Sequence, residues 1–334
     1  MSTDLQILDL SDKHLTALPQ LPVATTSFKK LYVDRNQLAA LPEWLGDLAN
    51  LEELHLDLNA LDTLPASLAR LTNLKTLSLY HNKLANLPKA LWELKQLQFL
   101  NIADNQLSFL PEDIGNLVNL HTLDIGHNQL TMLPESLGSL TNLTFFLYIS
   151  HNQLTTIPDS LGKLRNLRYL NITDNRLTVL PESIGNLTSL IELRLYNNTL
   201  TALPQSISNL ANLKEIHLKN NRLVSLPETI GKLTDLKHLD LCDNQLVSLP
   251  DSIGDMQNLT HLDLRNNKLA SLPESLVQLK KLTYLDLRNN KFTALPESLG
   301  ALPHLEKLDL RWNKFLILPD WLQDLEQRGC VIFK

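Results

Sequence analysis

The stretch Leu262-Asp263-Leu264-Arg265-Asn266-Asn267 stands inside a unit that reads L-x-x-L-x-L-x-x-N-x-L-x-x-L-P. Its last asparagine recurs with similar neighbours as Asn36, Asn59, Asn82, Asn105, Asn128, Asn152, Asn175, Asn198, Asn221, Asn244, Asn267, Asn290 and Asn313, and Lys13 holds the same place in a first, imperfect copy. Every interval is 23 residues except the 24 between Asn128 and Asn152. A fixed period of this length means an array of like units rather than a string of unlike domains. Alternation such as Leu77-Ser78-Leu79 or Leu170-Asn171-Ile172 sends two aliphatic side chains to one face and the residue between them to the other, which is strand behaviour. The return segment, Pro134-Glu135-Ser136-Leu137-Gly138-Ser139-Leu140 in one copy, begins with a proline that fixes φ and gives up a donor. Leucines three apart follow, and the pattern predicts a short 3₁₀ or α turn.

This consensus resembles the leucine-rich repeat family. The resemblance implies an α/β fold: a solenoid, or horseshoe, with a parallel β-sheet on its concave face and short 3₁₀/α turns on the convex face. The 23-residue form with L-x-x-L-P and I/L-G-x-L returns resembles, within that family, the intracellular Ras-group subset, the Shoc2-like scaffolds and the arrays of Roco-type GTPases. Its sharply repeated consensus is similar to bacterial members. That closer resemblance implies a non-catalytic interaction scaffold with a small GTPase or another signalling protein as partner on its concave face, and a cytoplasmic location; the alternatives are a secreted or cell-surface bacterial virulence or adhesion factor, or the recognition arm of a larger signalling enzyme.

A single repeat domain is expected over residues 1–334, with an irregular first repeat at 1–30, regular repeats over 31–318 and a C-terminal cap at 319–334. Lys13 has only donors where asparagine gives and accepts, which suits an exposed first rung. The connection from Gln20 to Phe28 loses the usual leucine spacing, so the N-terminal edge is expected to be weakly guarded and open to self-association. At the other end Trp321, Leu322 and Leu325 predict a short amphipathic turn with Trp321 in the core. Val331 and Phe333 fall one 23-residue period after Leu308 and Leu310, which predicts a fifteenth strand. The extra residue of the 24-residue interval lies within Leu143-Thr144-Phe145-Phe146-Leu147 and is expected to be absorbed as a bulge or a longer bend. Glycine recurs in the return segment, but Ala69, Trp92, Ser208 and Val277 replace it. Loose packing is the milder reading.

The chain has 43% hydrophobic and 20% charged residues and a net charge of −6, which argues for an ordered core and against nucleic acid or an anionic membrane as partner. No span approaches the ~20 apolar residues that membrane insertion requires. Cys242 and Cys330 lie too many repeats apart to pair where only neighbouring repeats touch. No phosphate-binding loop, zinc-protease helix or nucleophile elbow is present, so no enzyme, cofactor or catalytic residue is expected.

Function must then reside in the positions the scaffold leaves free. One column runs through Asp240, Asp263, Asp286 and Asp309, and the next through Cys242, Arg265, Arg288 and Arg311. Like charges one strand apart repel, so the arginines are expected to neutralise the aspartates. Alternatively, Arg265, Arg288 and Arg311 with Trp312 form a docking patch, since arginine and aromatic residues dominate interface energetics. Tyr80, Phe99, Phe146, Tyr148, Tyr169 and Tyr196 bring aromatic surface to the middle of the same face and mark it for a protein or peptide. His238 and His261 share a third column beside Asp240, Asp263 and Cys242, but nothing encloses them and no metal is expected.

Overall fold

The computed structural model describes residues 6–20 and 28–334. The irregular connection expected between Gln20 and Phe28 lies mostly outside them. The chain divides into two compact units, Met1–Leu154 and Thr155–Lys334. In the first, seven three-residue strands from Ile7–Asp9 to Phe146–Tyr148 pair in chain order, each parallel to the next. In the second, eight strands from Tyr169–Asn171 to Val331–Phe333 do the same. Five-residue 3₁₀ turns, such as Glu112–Asn116 and Gln205–Asn209, cover the opposite face. The proline before each turn is extended, as at Pro204 with φ −67° and ψ 153°, and its carbonyl accepts the first hydrogen bond of the turn, from Ile207. Between sheet and turns the aliphatic positions of the interior repeats, Leu193, Leu195, Leu200, Ile207, Leu210 and Leu213 in one, are buried completely or nearly so.

The recurrent asparagine joins one repeat to the one before it. In the first unit Asn105 Nδ2 donates to the carbonyls of Leu79, Ile102 and Ala103 at 3.0, 3.2 and 3.1 Å, and its Oδ1 accepts from Leu84 N–H at 3.0 Å. In the second, Asn221 donates to Leu195, Leu218 and Lys219 and accepts from Leu200. An amide on a short stem supplies two N–H donors and a separate acceptor oxygen at once, so a side chain without both leaves buried backbone groups unpaired. Lys13 is exposed, as a first rung requires. Twelve of the thirteen asparagines, Asn36 through Asn290, are buried.

The residue immediately before each asparagine is left-handed, with φ between 49° and 65° from Arg35 to Trp312. That conformation bends the chain out of the strand. Asn and Asp visit it readily because their short polar side chains bond locally. Asp104, Asp174, Asn197, Asn220, Asp243, Asn266 and Asn289 fit this preference, whereas Leu58, φ 55° and partly exposed, does not.

The glycines of the return segments are not signs of loose packing. A Cβ built on Gly46 would stand 2.3 Å from the carbonyl oxygen of Ser67, and one on Gly231 would stand 2.2 Å from that of Ser252. At these two glycines consecutive turns approach so closely that hydrogen is the only substituent that fits. Trp92 and Ser208 instead bury a side chain at the same place.

The inserted residue leaves the later pairing intact. Leu147 stands beside Leu123 and Tyr148 beside Asp124, while Phe145 N–H bonds to His121 O and its ring is half exposed. At the C-terminus the cap forms, with a helix at Leu322–Gln327 and Trp321, Leu322 and Leu325 buried. Its strand is shifted by one residue from the expected register: Ile332 stands beside Leu308, and Val331 and Phe333 are exposed. The Arg328–Gly329 turn, with Gly329 at φ 94°, adds the residue that breaks the 23-residue period. Cys242 and Cys330 are free, as expected.

Replacement of Asn221 by Ala leaves several buried polar groups unpaired and is expected to lower stability by about 2–4 kcal/mol, read as a fall in the urea midpoint. Replacement of Leu58 by Asn relieves a left-handed leucine and is expected to raise stability by up to about 1 kcal/mol.

Candidate functional site

The surface that the scaffold does not dictate is the outer face of the sheet, where strand registry sets side chains in columns. In the first unit Tyr80 is partly exposed and meets His81 with ring centroids 5.9 Å apart. Phe99 stands in the adjacent strand and is half buried. Phe146 and Tyr148 stack at 5.2 Å with their planes 16° apart. The same unit brings Asp34, His55 and Asp57 within 4.8 Å of one another, but Asp34 already accepts the Asp57 N–H and Asp57 the Tyr80 N–H.

In the second unit Tyr169 lies beside Glu192 in the paired strand, and Tyr196 follows Arg194; both rings are half buried. His217 Nε2 lies 3.2 Å from Glu215 and 3.5 Å from Glu192, whose carboxylate also pairs with Arg194. Further along, one column becomes a stack of rings. His238 and His261 overlap at 4.3 Å with planes 8° apart, and His261 and Tyr284 follow at 5.7 Å. Lys307 Nζ lies 5.1 Å from the Tyr284 centroid and 5.4 Å from that of Phe333. Burial, and then the neighbouring His238, hold the His261 pKa below the usual histidine value.

In the aspartate column beside it the arginines pair with the aspartates, and the pairs are more deeply buried than a surface ladder. Asp286 and Asp309 are almost entirely buried, covered by the arginines of the next column. Arg288 pairs with Asp286 at 2.5 Å and reaches Asp309 at 3.4 Å, and Arg311 holds Asp309 at 2.6 Å. Burial pulls the Asp309 pKa up, but the hydrogen bonds from Arg311 and the charge of Arg288 outweigh it and leave it low. The Arg288 guanidinium is driven further up by its bond to Asp286. Arg265 lies only 3.3 Å from Asp263, whose carboxyl is pushed up to about 6 by burial, against the Arg265 N–H, with the Asp286 and Asp240 charges adding to the rise. Burial likewise pushes Tyr284 up to about 12. Trp312 is exposed, with the Arg288 and Arg311 guanidinium carbons 5.8 and 5.7 Å from its ring.

The structure therefore joins Asp286, Arg288, Asp309, Arg311 and Trp312 into one network and sets the Asp263–Arg265 pair beside it on the neighbouring strand. The aromatic residues are distributed four to the first unit and two to the second. Sequence reasoning placed His238 and His261 together in one column but missed the continuation of their stack through Tyr284, the His217–Glu192–Glu215 group and the part played by Phe333. The signal for the stack was present, since His238, His261, Tyr284 and Lys307 occupy one column at 23-residue spacing.

The family profile described as a leucine-rich repeat region matches residues 81–167, 151–243 and 227–313, and further leucine-rich repeat profiles match 49–107 and 304–325. The chain belongs to the leucine-rich repeat family, and its fold is that family's solenoid, a non-catalytic architecture. A comparison with curated proteins gives no match. Among solved structures it is similar to a leucine-rich repeat protein of Leptospira interrogans, at 35% identity and a TM-score of 0.90 over 99% of this chain and 84% of that one. It is also similar to the ectodomain of a membrane receptor kinase of Arabidopsis thaliana, at 34% identity and a TM-score of 0.69 over 94% of this chain and 42% of that one. An internalin of Listeria monocytogenes matches at 26% identity and a TM-score of 0.72, over 85% of this chain and 81% of that one.

These findings correct three expectations. The closer resemblance to intracellular Ras-group, Shoc2-like and Roco-type arrays is not upheld, because the similar structures are a receptor ectodomain and bacterial repeat proteins of other kinds. The cytoplasmic location inferred from it falls with it. The 23-residue consensus records how one repeat stacks on the next, and that packing is the same problem in every compartment. The exclusion of nucleic acid also fails: a TLR13–ssRNA13 complex shares the fold, with a TM-score of 0.72 at 24% identity, so a net charge of −6 does not remove RNA from the reach of this architecture. Among the described residues no helix is long and apolar enough to cross a membrane.

Because its folded pKa is raised, Asp263 contributes stability that is full below its ordinary value of 3.8, declines as pH rises and is gone once pH passes about 6. Asp263→Asn removes this dependence. The stability of wild type minus that of the variant is expected to fall by up to about 3 kcal/mol between pH 4 and pH 7, measured by denaturant titration at each pH.

Proposed function

We propose that this protein is a non-enzymatic recognition module of a secreted or cell-surface system, binding a peptide or protein on the outer face of its sheet. The observation that carries the reading is that plant receptors of the same family, 31% and 34% identical to this chain, are solved with peptide hormones or factors bound. The similarity to an internalin and to a Leptospira repeat protein supports a bacterial surface or virulence setting over a cytoplasmic scaffold.

The chemistry of the face agrees. Scaffold positions are filled by Leu, Ile, Asn and Pro, so the aromatic and charged columns are free to vary without disturbing the stack. Tyr80, Phe99, Phe146 and Tyr148 supply anchors in the first unit. Tyr169, Tyr196, Arg265, Arg288, Arg311 and Trp312 supply them in the second. Arg288 and Arg311 are fixed by their aspartates beforehand, so a ligand that meets them does not bear the entropy of ordering two long side chains.

A ligand recovered with the purified protein from culture medium or host-surface extracts tests this. Trp312→Ala is expected to weaken its binding by about 2 kcal/mol, roughly 30-fold, as loss of a central aromatic anchor does. Equal affinity of Trp312→Ala and of a Tyr196→Ala variant with wild type, in surface plasmon resonance, removes the sheet face from the function. Protease treatment of intact source cells checks the location. Protein that stays uncut inside sealed cells and is absent from the medium refutes the surface reading.

A further inference from the structure

The aspartate and arginine columns of the second unit do not match one to one. Four carboxylates stand in register, Asp240, Asp263, Asp286 and Asp309, but only three guanidinium groups follow them, because Cys242 occupies the arginine place in the first of these repeats. All three arginines are committed elsewhere. Arg311 holds Asp309, Arg288 spans Asp286 and Asp309, and Arg265 leans on Asp263 while its Nη2 points to the Cys242 sulfur at 3.7 Å. Asp240 accepts the Cys242 N–H at 3.1 Å, and among the described residues no arginine or lysine pairs with it. This carboxylate lies in a cavity of about 220 Å³ whose other lining residues are His217, His238, Leu239, His261, Asp263 and Tyr284.

We infer that this cavity is the receptor for one basic side chain, arginine or lysine, of an extended peptide lying along the sheet. The inference deepens the peptide-binding reading and rests on it. Three features select a cation. An apolar side chain would cover Asp240 and leave a desolvated charge without a partner, while an acidic one would be repelled by Asp240 and Asp263. The walls are ring faces and edges, and a guanidinium both stacks on such surfaces and bonds a carboxylate in its own plane. The far end of the same ring column already holds a cation, with Lys307 over Tyr284.

A bare metal ion is a poorer occupant. Asp240, Cys242 and Asp263 do place one ligand atom each within 4.8 Å. However, Cys242 is completely buried, and burial together with the two aspartates pushes its thiol far from ionisation. The Arg265 guanidinium lies against both the sulfur and Asp263, where it would face the ion directly. A side chain entering from solvent needs only Asp240 and the rings.

A random peptide library displayed on phage and selected on the full chain is the test, with the near-isosteric Asp240→Asn variant as comparison and a thermal melt to verify its folding. The expected outcome is that enriched peptides share an Arg or Lys at one position. They are expected to bind wild type about tenfold or more tightly than Asp240→Asn, and to lose the same factor when that residue becomes citrulline or norleucine. Peptides enriched without a basic residue, or bound equally by the folded variant, overturn the assignment and leave the peptide-binding reading intact. Failure to enrich any peptide on the folded wild type overturns both.

Discussion

Everything in this molecule depends on one side-chain amide. A three-residue strand has too few backbone hydrogen bonds to hold register by itself, and it ends in a left-handed residue that directs the chain away from its neighbours. The buried asparagine closes that gap by tying two carbonyls of its own turn to a carbonyl and an N–H of the repeat before it. Because it reaches back as well as binding its own turn, each repeat is completed by the next, and stability passes along the array between neighbours. The glycine–serine contacts on the opposite face are the other half of the constraint. Strands are held at their fixed spacing by the ladder, and the turns must come close enough to leave no void behind the leucines.

This constraint explains why so much of the fold was legible in the sequence. Asn, Leu and Pro columns are one-to-one consequences of local geometry, so strand, turn and core positions follow from the period. What failed was whatever depended on distance rather than on type. The glycines read as loose packing because replacements such as Trp92 hide how closely Gly46 and Gly231 meet the following turn. The last strand was misplaced by one residue because the cap replaces a 3₁₀ turn with a helix and adds a residue at Arg328–Gly329, which no longer obeys the repeat. A period predicts the interior of an array well and its ends badly, since only interior repeats have neighbours on both sides.

The candidate site was legible only as columns. Sequence spacing showed which residues share a row, and so that arginines would face aspartates, but gave no depth: Asp286 and Asp309 lie buried beneath Arg288 and Arg311. Depth changes the physics. An exposed ion pair contributes little, whereas a carboxylate without accessible surface must be paired, and the observed hydrogen bonds supply what burial demands. Family resemblance failed for a related reason. The consensus that suggested an intracellular subset consists of scaffold residues, and these carry no information about compartment or ligand.

The departure from regularity is therefore where information about the ligand lies. Had an arginine stood at position 242, the aspartate column would be neutralised throughout and the face would read as a closed structural ladder. Cysteine there keeps the backbone packing and removes the charge, which leaves Asp240 to be satisfied by solvent or by something else. The histidines around it keep the cavity walled without filling it, and the low pKa of His261 favours a neutral ring beside the acid. A repeat protein whose scaffold tolerates nearly any residue on its outer face gives up one ion pair at this point alone along the ladder, and that pair is the one a ligand can complete.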